Sequence, residues 1–261
     1  MISQAPIISY QAMQKASRIT KYVYQFYFPL HHLTPIDIAT YYPILTVVES
    51  IIYQADSVME ESQNLPTDHP RASKFQDQIA ELRISLISLL RELDLYDDMI
   101  ENQLISGEEF ISLENKLMYA NSIKKIDVIK VAELRSSDVR LLHHILFRML
   151  KKDYDEQLLS LLWPVEVIAD IEDDFNHYLE DINQKKYNTY RMFVQLYQEK
   201  APEHIQKELN YYEDLFEQRL AAFPQSQKNV LLELYSQFRH THRVDIPKPI
   251  LEELVPQPIY Q

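Results

Sequence analysis

A chain of 261 residues, 46% of them hydrophobic, can bury a core of its own and is not a disordered segment. Its single glycine, Gly107, excludes a P-loop or a dinucleotide-binding fingerprint and argues against hairpin-rich sheets; the absence of cysteine excludes disulfides, thiolate catalysis and cysteine metal sites. A formal charge of −13, from 39 acidic and 26 basic residues, disfavours nonspecific contact with nucleic acid or anionic lipid.

Hydrophobic periodicity predicts an all-α chain, with helices at about 9–28, 35–63, 70–103, 107–132, 136–151, 154–183, 187–199, 202–222 and 225–240. Pro29, Pro35, Pro66, Pro70, Pro202 and Pro224 fall at or near the breaks, where a missing N–H is tolerated. Pro43 and Pro164 lie within apolar runs, where they begin a helix or kink one. No repeat and no convincing linker interrupts the chain, so the expectation is one domain over 1–244 with a Pro-rich, extended tail over 245–261. The N-terminal stretch lacks the basic start and apolar run of a signal peptide, and no run of about 18 apolar residues is present. The expectation is a soluble, cytoplasmic chain without a membrane span.

Two acidic helices stand out. In the 35–63 segment Glu49, Asp56 and Glu60 follow spacings of seven and four, which at ~100° per residue places them on one stripe beside the apolar face. In the 154–183 segment Asp170, Asp173, Asp174, His177 and Asp181 fall within an arc of about 100°, with Lys185, Lys186 and Arg191 just beyond. Carboxylates one turn apart repel one another unless a cation or base intervenes. Hard divalent cations want such clustered oxygens, and the neighbouring bases suit a diphosphate. Solvated acidic faces neutralised by those same bases are the plain structural alternative.

With those residues in view, the chain resembles the class I isoprenoid (terpene) synthase superfamily, in particular trans-prenyl diphosphate synthases with degenerate aspartate-rich motifs. ADSVMEES is similar to the first aspartate-rich motif, with Asp56 and Glu60 matching carboxylates and Ser57 replacing one. IKVAELR resembles the helix whose lysine binds diphosphate, here Lys130. DDFNHYLED resembles the second motif, with Asp173, Asp174 and Asp181 matching and His177 standing where an aspartate is usual; Asp170 with Asp174 fits the DxxxD spacing of squalene and phytoene synthases. The order agrees too, Asp56 preceding Asp173 by 117 residues.

The resemblance implies a helical bundle with a central cavity and Mg2+ held by Asp56, Glu60, Asp170, Asp173, Asp174, His177 and Asp181. The catalytic set would be Asp56, Glu60, Asp173 and Asp174, and Lys130, Lys186 and Arg191 would bind a prenyl diphosphate. NLPTDHP stands where chain-elongating members carry paired arginines, and their GGKR motif is missing. The implied reaction is therefore ionisation of one prenyl diphosphate to a carbocation with release of pyrophosphate, as in a terpene synthase. A prenyl transferase, or a noncatalytic scaffold of the same fold that binds a basic partner, are the alternatives; a homodimer is compatible with any of them.

Other features read as structural. Asp97, Asp98 and Glu101 form a literal DDxxE, expected to be a solvated helix end. His31–His32 and His143–His144 are adjacent pairs that point ~100° apart on a helix and so do not share a metal easily. Arg239, His240, His242 and Arg243 form a basic cluster expected to balance the acidic surface.

Overall fold

Helices account for nearly all of the computed structural model, which describes residues 7–63, 72–120 and 122–251, and no strand occurs among the described residues. In chain order they are α1 (Tyr10–Leu30), α2 (Pro35–Gln63), α3 (Ala72–Glu92), α4 (Asp98–Met118) and α5 (Lys125–Arg135). There follow α6 (Ser137–Met149), α7 (Glu156–Gln184), α8 (Thr189–Tyr197), a 3-10 turn (Gln198–Lys200), α9 (Ala201–Leu220) and α10 (Gln225–His242). The all-α architecture is thus as expected.

The described residues group into two compact units that interleave along the chain. Unit 1 takes residues 1–105 and 137–154, and unit 2 takes 106–136 and 155–261, so α4 runs through the boundary. In unit 1, α1 packs on α2, α2 on α3, and α6 on both α1 and α2. The pattern in α1 explains why: Ala12, Ala16, Thr20, Val23 and Tyr27 recur every three or four residues and are buried together. Leu141 to Phe147 of α6 are buried without interruption, as in a helix covered on every side. Among α2 residues, Leu45, Val48 and Ile51 enter the core. By length and composition alone, Pro35–Glu61 is also apolar enough to cross a membrane, contrary to the sequence expectation; a core helix of a soluble protein meets the same criterion.

In unit 2, α7 is the hub, touching α5, α8 and α9. Val167, Ile168, Ile171, Phe175 and Tyr178 of α7 meet Val128, Val131 and Ala132 of α5, Tyr190 and Phe193 of α8, and Ile205, Leu209 and Tyr212 of α9. Beyond α10, residues 243–251 carry no helix and lie on this core: Val244 and Ile246 pack into it, the Tyr190 hydroxyl donates to the Pro247 carbonyl (2.7 Å), and the Ile250 N–H donates to the Tyr178 hydroxyl (2.9 Å). The remaining tail, 252–261, and the break containing Pro66 and Pro70 lie outside the described residues.

Two predicted helices are each split. The 70–103 segment ends at Glu92 because Asp94 turns left-handed (φ 57°), the Leu95 N–H returns to the Leu90 carbonyl (2.8 Å), and the buried Leu95 pins the turn. Asp97 then starts α4 by accepting from the Ile100 N–H (3.0 Å). The 107–132 segment breaks between Met118 and Lys125, while Gly107, which sequence reading places at a start, lies inside α4. Pro43 and Pro164 are likewise interior to α2 and α7.

A chain with one glycine must close its helices with other residues. His32, Asp94, Lys151 and Lys185 all take positive φ just beyond a helix. At the end of α6 the Lys151 N–H bonds the Arg148 carbonyl (3.0 Å) and the Lys152 N–H bonds that of Phe147 (3.1 Å), a Schellman closure around a left-handed lysine. A left-handed L-residue costs roughly 1–2 kcal/mol, and glycine removes that at an entropic cost of about 0.5–1 kcal/mol. Lys151→Gly is therefore expected to stabilise the protein by roughly 0.5 kcal/mol, read as a higher urea midpoint with an unchanged slope.

Candidate functional site

The acidic face of α7 is built around a buried carboxylate. Asp174 is 1% exposed, and both its oxygens are engaged. The Arg135 guanidinium, at the last turn of α5, donates to Oδ1, and the Thr189 backbone N–H donates to Oδ2 (2.7 Å). Thr189 is the first residue of α8, so the carboxylate sits on an unsatisfied helix N-terminus, where negative charge is favoured. Asn188 completes the junction. Its side-chain oxygen caps α8 at Arg191 N–H (3.1 Å), while its amide donates to the Asp174 carbonyl (2.7 Å) and to Asp181 Oδ2 (2.8 Å).

Around this centre the predicted ligands occupy distinct environments. Asp173 is the more open, its side chain 41% exposed, with Arg135 Nη2 at 3.6 Å and His177 Nδ1 at 3.4 Å. The hydrogen bond that His177 donates to Asp173 raises the His177 pKa to about 9 against the opposing effect of burial, which favours the cationic imidazole. Burial raises the Asp181 carboxyl, an effect that the Asn188 hydrogen bond opposes. Arg135 is pulled down by burial, but Asp174, Asp170 and Asp173 outweigh that and hold it well above its ordinary value. This arginine was not singled out in the sequence, although it closes the IKVAELR segment.

The other predicted residues have partners of their own. Lys130 pairs with Glu109 of α4 instead of reaching the acids of α7. Lys186 and Arg191 flank the α7–α8 turn, and Arg191 Nη1 donates to the Lys186 carbonyl (2.9 Å). Asp56 and Glu60 belong to unit 1, where Lys15 of α1 lies 3.4 Å from the first and 3.5 Å from the second. Lys15 carries no sequence signal that marks it as their partner. Two structural expectations need correction. The Asp97–Glu101 end is tied down: Tyr154 donates to Asp97 (2.7 Å), and Arg83 donates to Glu101 (2.9 Å). Arg239 does not simply balance the surface; half-buried, it donates to Glu172 and to Glu213 (3.1 Å).

Among the described residues no three histidines or acids are gathered to hold a metal by themselves. Magnesium commonly takes only one or two protein carboxylates and completes its shell with phosphate oxygens and water. The open Asp173 and the half-buried Asp170 fit that donor chemistry, while Asp174 is buried with a hydrogen bond on each oxygen. Comparison with family models, curated proteins and solved structures gives no match to this chain.

Asp174→Asn would keep the shape but leave the Arg135 charge short of its main partner in a largely desolvated place. Breaking one side of such a pair costs about 3 kcal/mol. The expected outcome is a loss of roughly that size in chemical denaturation, with Asp173→Asn costing well under half as much.

Proposed function

We propose that the chain is a terpene synthase-like protein of isoprenoid synthase type, which ionises a prenyl diphosphate with release of pyrophosphate. The observation that carries this reading is the half-buried face of α7, where Asp170 and Asp173 adjoin the Arg135 guanidinium; Lys186 and Arg191 lie at the α7–α8 turn beyond it. A face that mixes hard oxygen donors with fixed cations suits a magnesium diphosphate better than it suits simple solubility. The order of the acidic and basic motifs along the chain supports the same reading.

In this reading Asp173 and Asp170 would hold Mg2+ by their carboxylate oxygens, with substrate and water oxygens completing its shell, and the metal would supply positive charge for a departing pyrophosphate. Lys186 and Arg191 neutralise diphosphate oxygens. Arg135 keeps the α7 acids from repelling one another before substrate arrives. Asp174 fixes α7 against α5 and α8, a positioning role and not a ligand's. A central cavity, the cytoplasmic setting and the Lys130 contact with diphosphate stay part of the same proposal.

The saturation of Asp174 also favours a second reading, a noncatalytic helical protein whose acidic cluster is internal structure and whose net charge attracts a basic partner. One experiment separates the two. Purified protein is incubated with magnesium and a panel of prenyl diphosphates, and both pyrophosphate and extractable hydrocarbon are measured. The first reading expects both products, lost by on the order of 100-fold in a folded Asp173→Asn variant. No product from the wild type, together with no rise in melting temperature on adding magnesium and a nonhydrolysable prenyl diphosphate, would establish the second.

A further inference from the structure

In a chain with 39 acidic residues, the first 48 positions contain one, Asp37, against three bases, Lys15, Arg18 and Lys21. Within unit 1 that stretch supplies α1 and the first half of α2, and a cleft of about 350 Å³ opens between these helices. Lys21 and Tyr24 of α1 line it together with Ile38, Ala39, Tyr42 and Pro43 of α2. We propose that this cleft binds a single-tailed amphiphile with an anionic head, its tail among the apolar side chains and its head on Lys21.

The hollow has a local cause. Ala39 offers only a methyl group to the gap, and Pro43, four residues on, has no N–H for the Ala39 carbonyl and crowds it, which loosens the helix there. Tyr24 stands edge-on to Tyr42 (6.3 Å between centroids) and to Phe28 (5.9 Å), so the aromatic wall is propped open. Small-ligand sites begin at about 300 Å³ and are mostly apolar with few polar groups, as here. The apolar lining also continues outside the cleft. Ile36 (78% exposed), Ala39, Pro43 and Val47 (45%) follow spacings of three, four and four along one face of α2. At 1.5 Å per residue that stripe runs for roughly 16 Å, room for an extended alkyl tail. Of the apolar window within Pro35–Glu61, 28% is buried, less than a helix that meets all its apolar partners inside the fold would show.

Charge selects the head group. Lys15 is taken up by Asp56 and Glu60. Arg18 and Lys21 are exposed and have no acid partner among the described residues. Asp37 accepts from the Thr34 N–H (2.9 Å) and hydroxyl (2.7 Å) at the start of α2, and from neither base. Unmatched cations at the rim of an apolar cleft, in a protein otherwise rich in acids, complement a ligand that is anionic at one end and apolar along the rest. A cationic amphiphile would be repelled by Lys21, and a bare anion would leave the apolar lining wet. The concave shape and a net charge of −13 favour a single molecule over a flat anionic membrane.

The test is isothermal titration calorimetry of the full chain with sodium dodecanoate below its micellar concentration. Dodecyltrimethylammonium carries the same tail on a cationic head, acetate carries the head alone, and vesicles of equal parts phosphatidylcholine and phosphatidylserine offer a surface. The wild type should bind dodecanoate at one site and take up neither small control comparably. Lys21→Glu should weaken that binding by about tenfold or more, because a charge-assisted hydrogen bond gives way to repulsion. Ala39→Phe should weaken it at least as much by filling the hollow. Both positions are exposed, so the variants should keep the wild-type circular dichroism. No binding of dodecanoate, undiminished binding in either folded variant, or equal affinity for the cationic amphiphile would overturn the site. Binding to vesicles without binding to free dodecanoate would overturn it in favour of a membrane surface. Turnover of a prenyl diphosphate has no part in any of these outcomes.

Discussion

Unit 2 depends on one buried carboxylate. Asp174 cannot be left alone in an apolar surrounding, and two other helices satisfy its carboxylate, α5 through Arg135 and α8 through the Thr189 N–H, while Asn188 grips the backbone carbonyl of the same residue. The apolar packing of Ile171, Phe175 and Tyr190 brings these helices together but is compatible with several rotations. Directional bonds to a desolvated charge admit far fewer, which fixes the rotation of α7 and hence which of its acids face outward.

The same constraint divides the acids of α7 into separate roles. Asp174, at the deepest point, is structural; Asp173, one residue earlier and about 100° round the helix, remains open enough to meet a ligand. His177 beneath it is held as a cation by that neighbour. A run of acids that looks uniform as letters is therefore graded by depth. The Glu172–Arg239–Glu213 group, on another side of α7, repeats the principle with α9 and α10.

Much of the helical layout was legible because local signals agree with tertiary packing. The predicted 35–63 and 154–183 helices correspond to Pro35–Gln63 and Glu156–Gln184, since a proline opens one and the Asp155 side chain caps the other. The split at 93–97 escaped because its left-handed residue is an aspartate, which in sequence looks like any exposed helical acid, and not the glycine that usually marks such a stop. At the candidate site the acids were visible as a stripe, but their counter-ion was not. Lys130 and Arg135 are five positions apart and so on different faces of α5; only the docking of that helix decides that the arginine faces α7 while the lysine faces Glu109. The meeting of His31 Nε2 with His143 Nε2 (2.8 Å) is long-range in the same sense, since neither histidine pair predicts the other.

The interleaving of the two units bears on how the chain comes off the ribosome. Unit 1 lacks α6 until residue 154 has been made, and by then residues 106–136, which belong to unit 2, have already emerged with nothing to dock on. Neither unit can close early, so the parts of α1 and α2 that α6 covers, and the apolar face of α5, stay exposed until their partners are made. Apolar surface exposed in that interval is where aggregation would compete with folding.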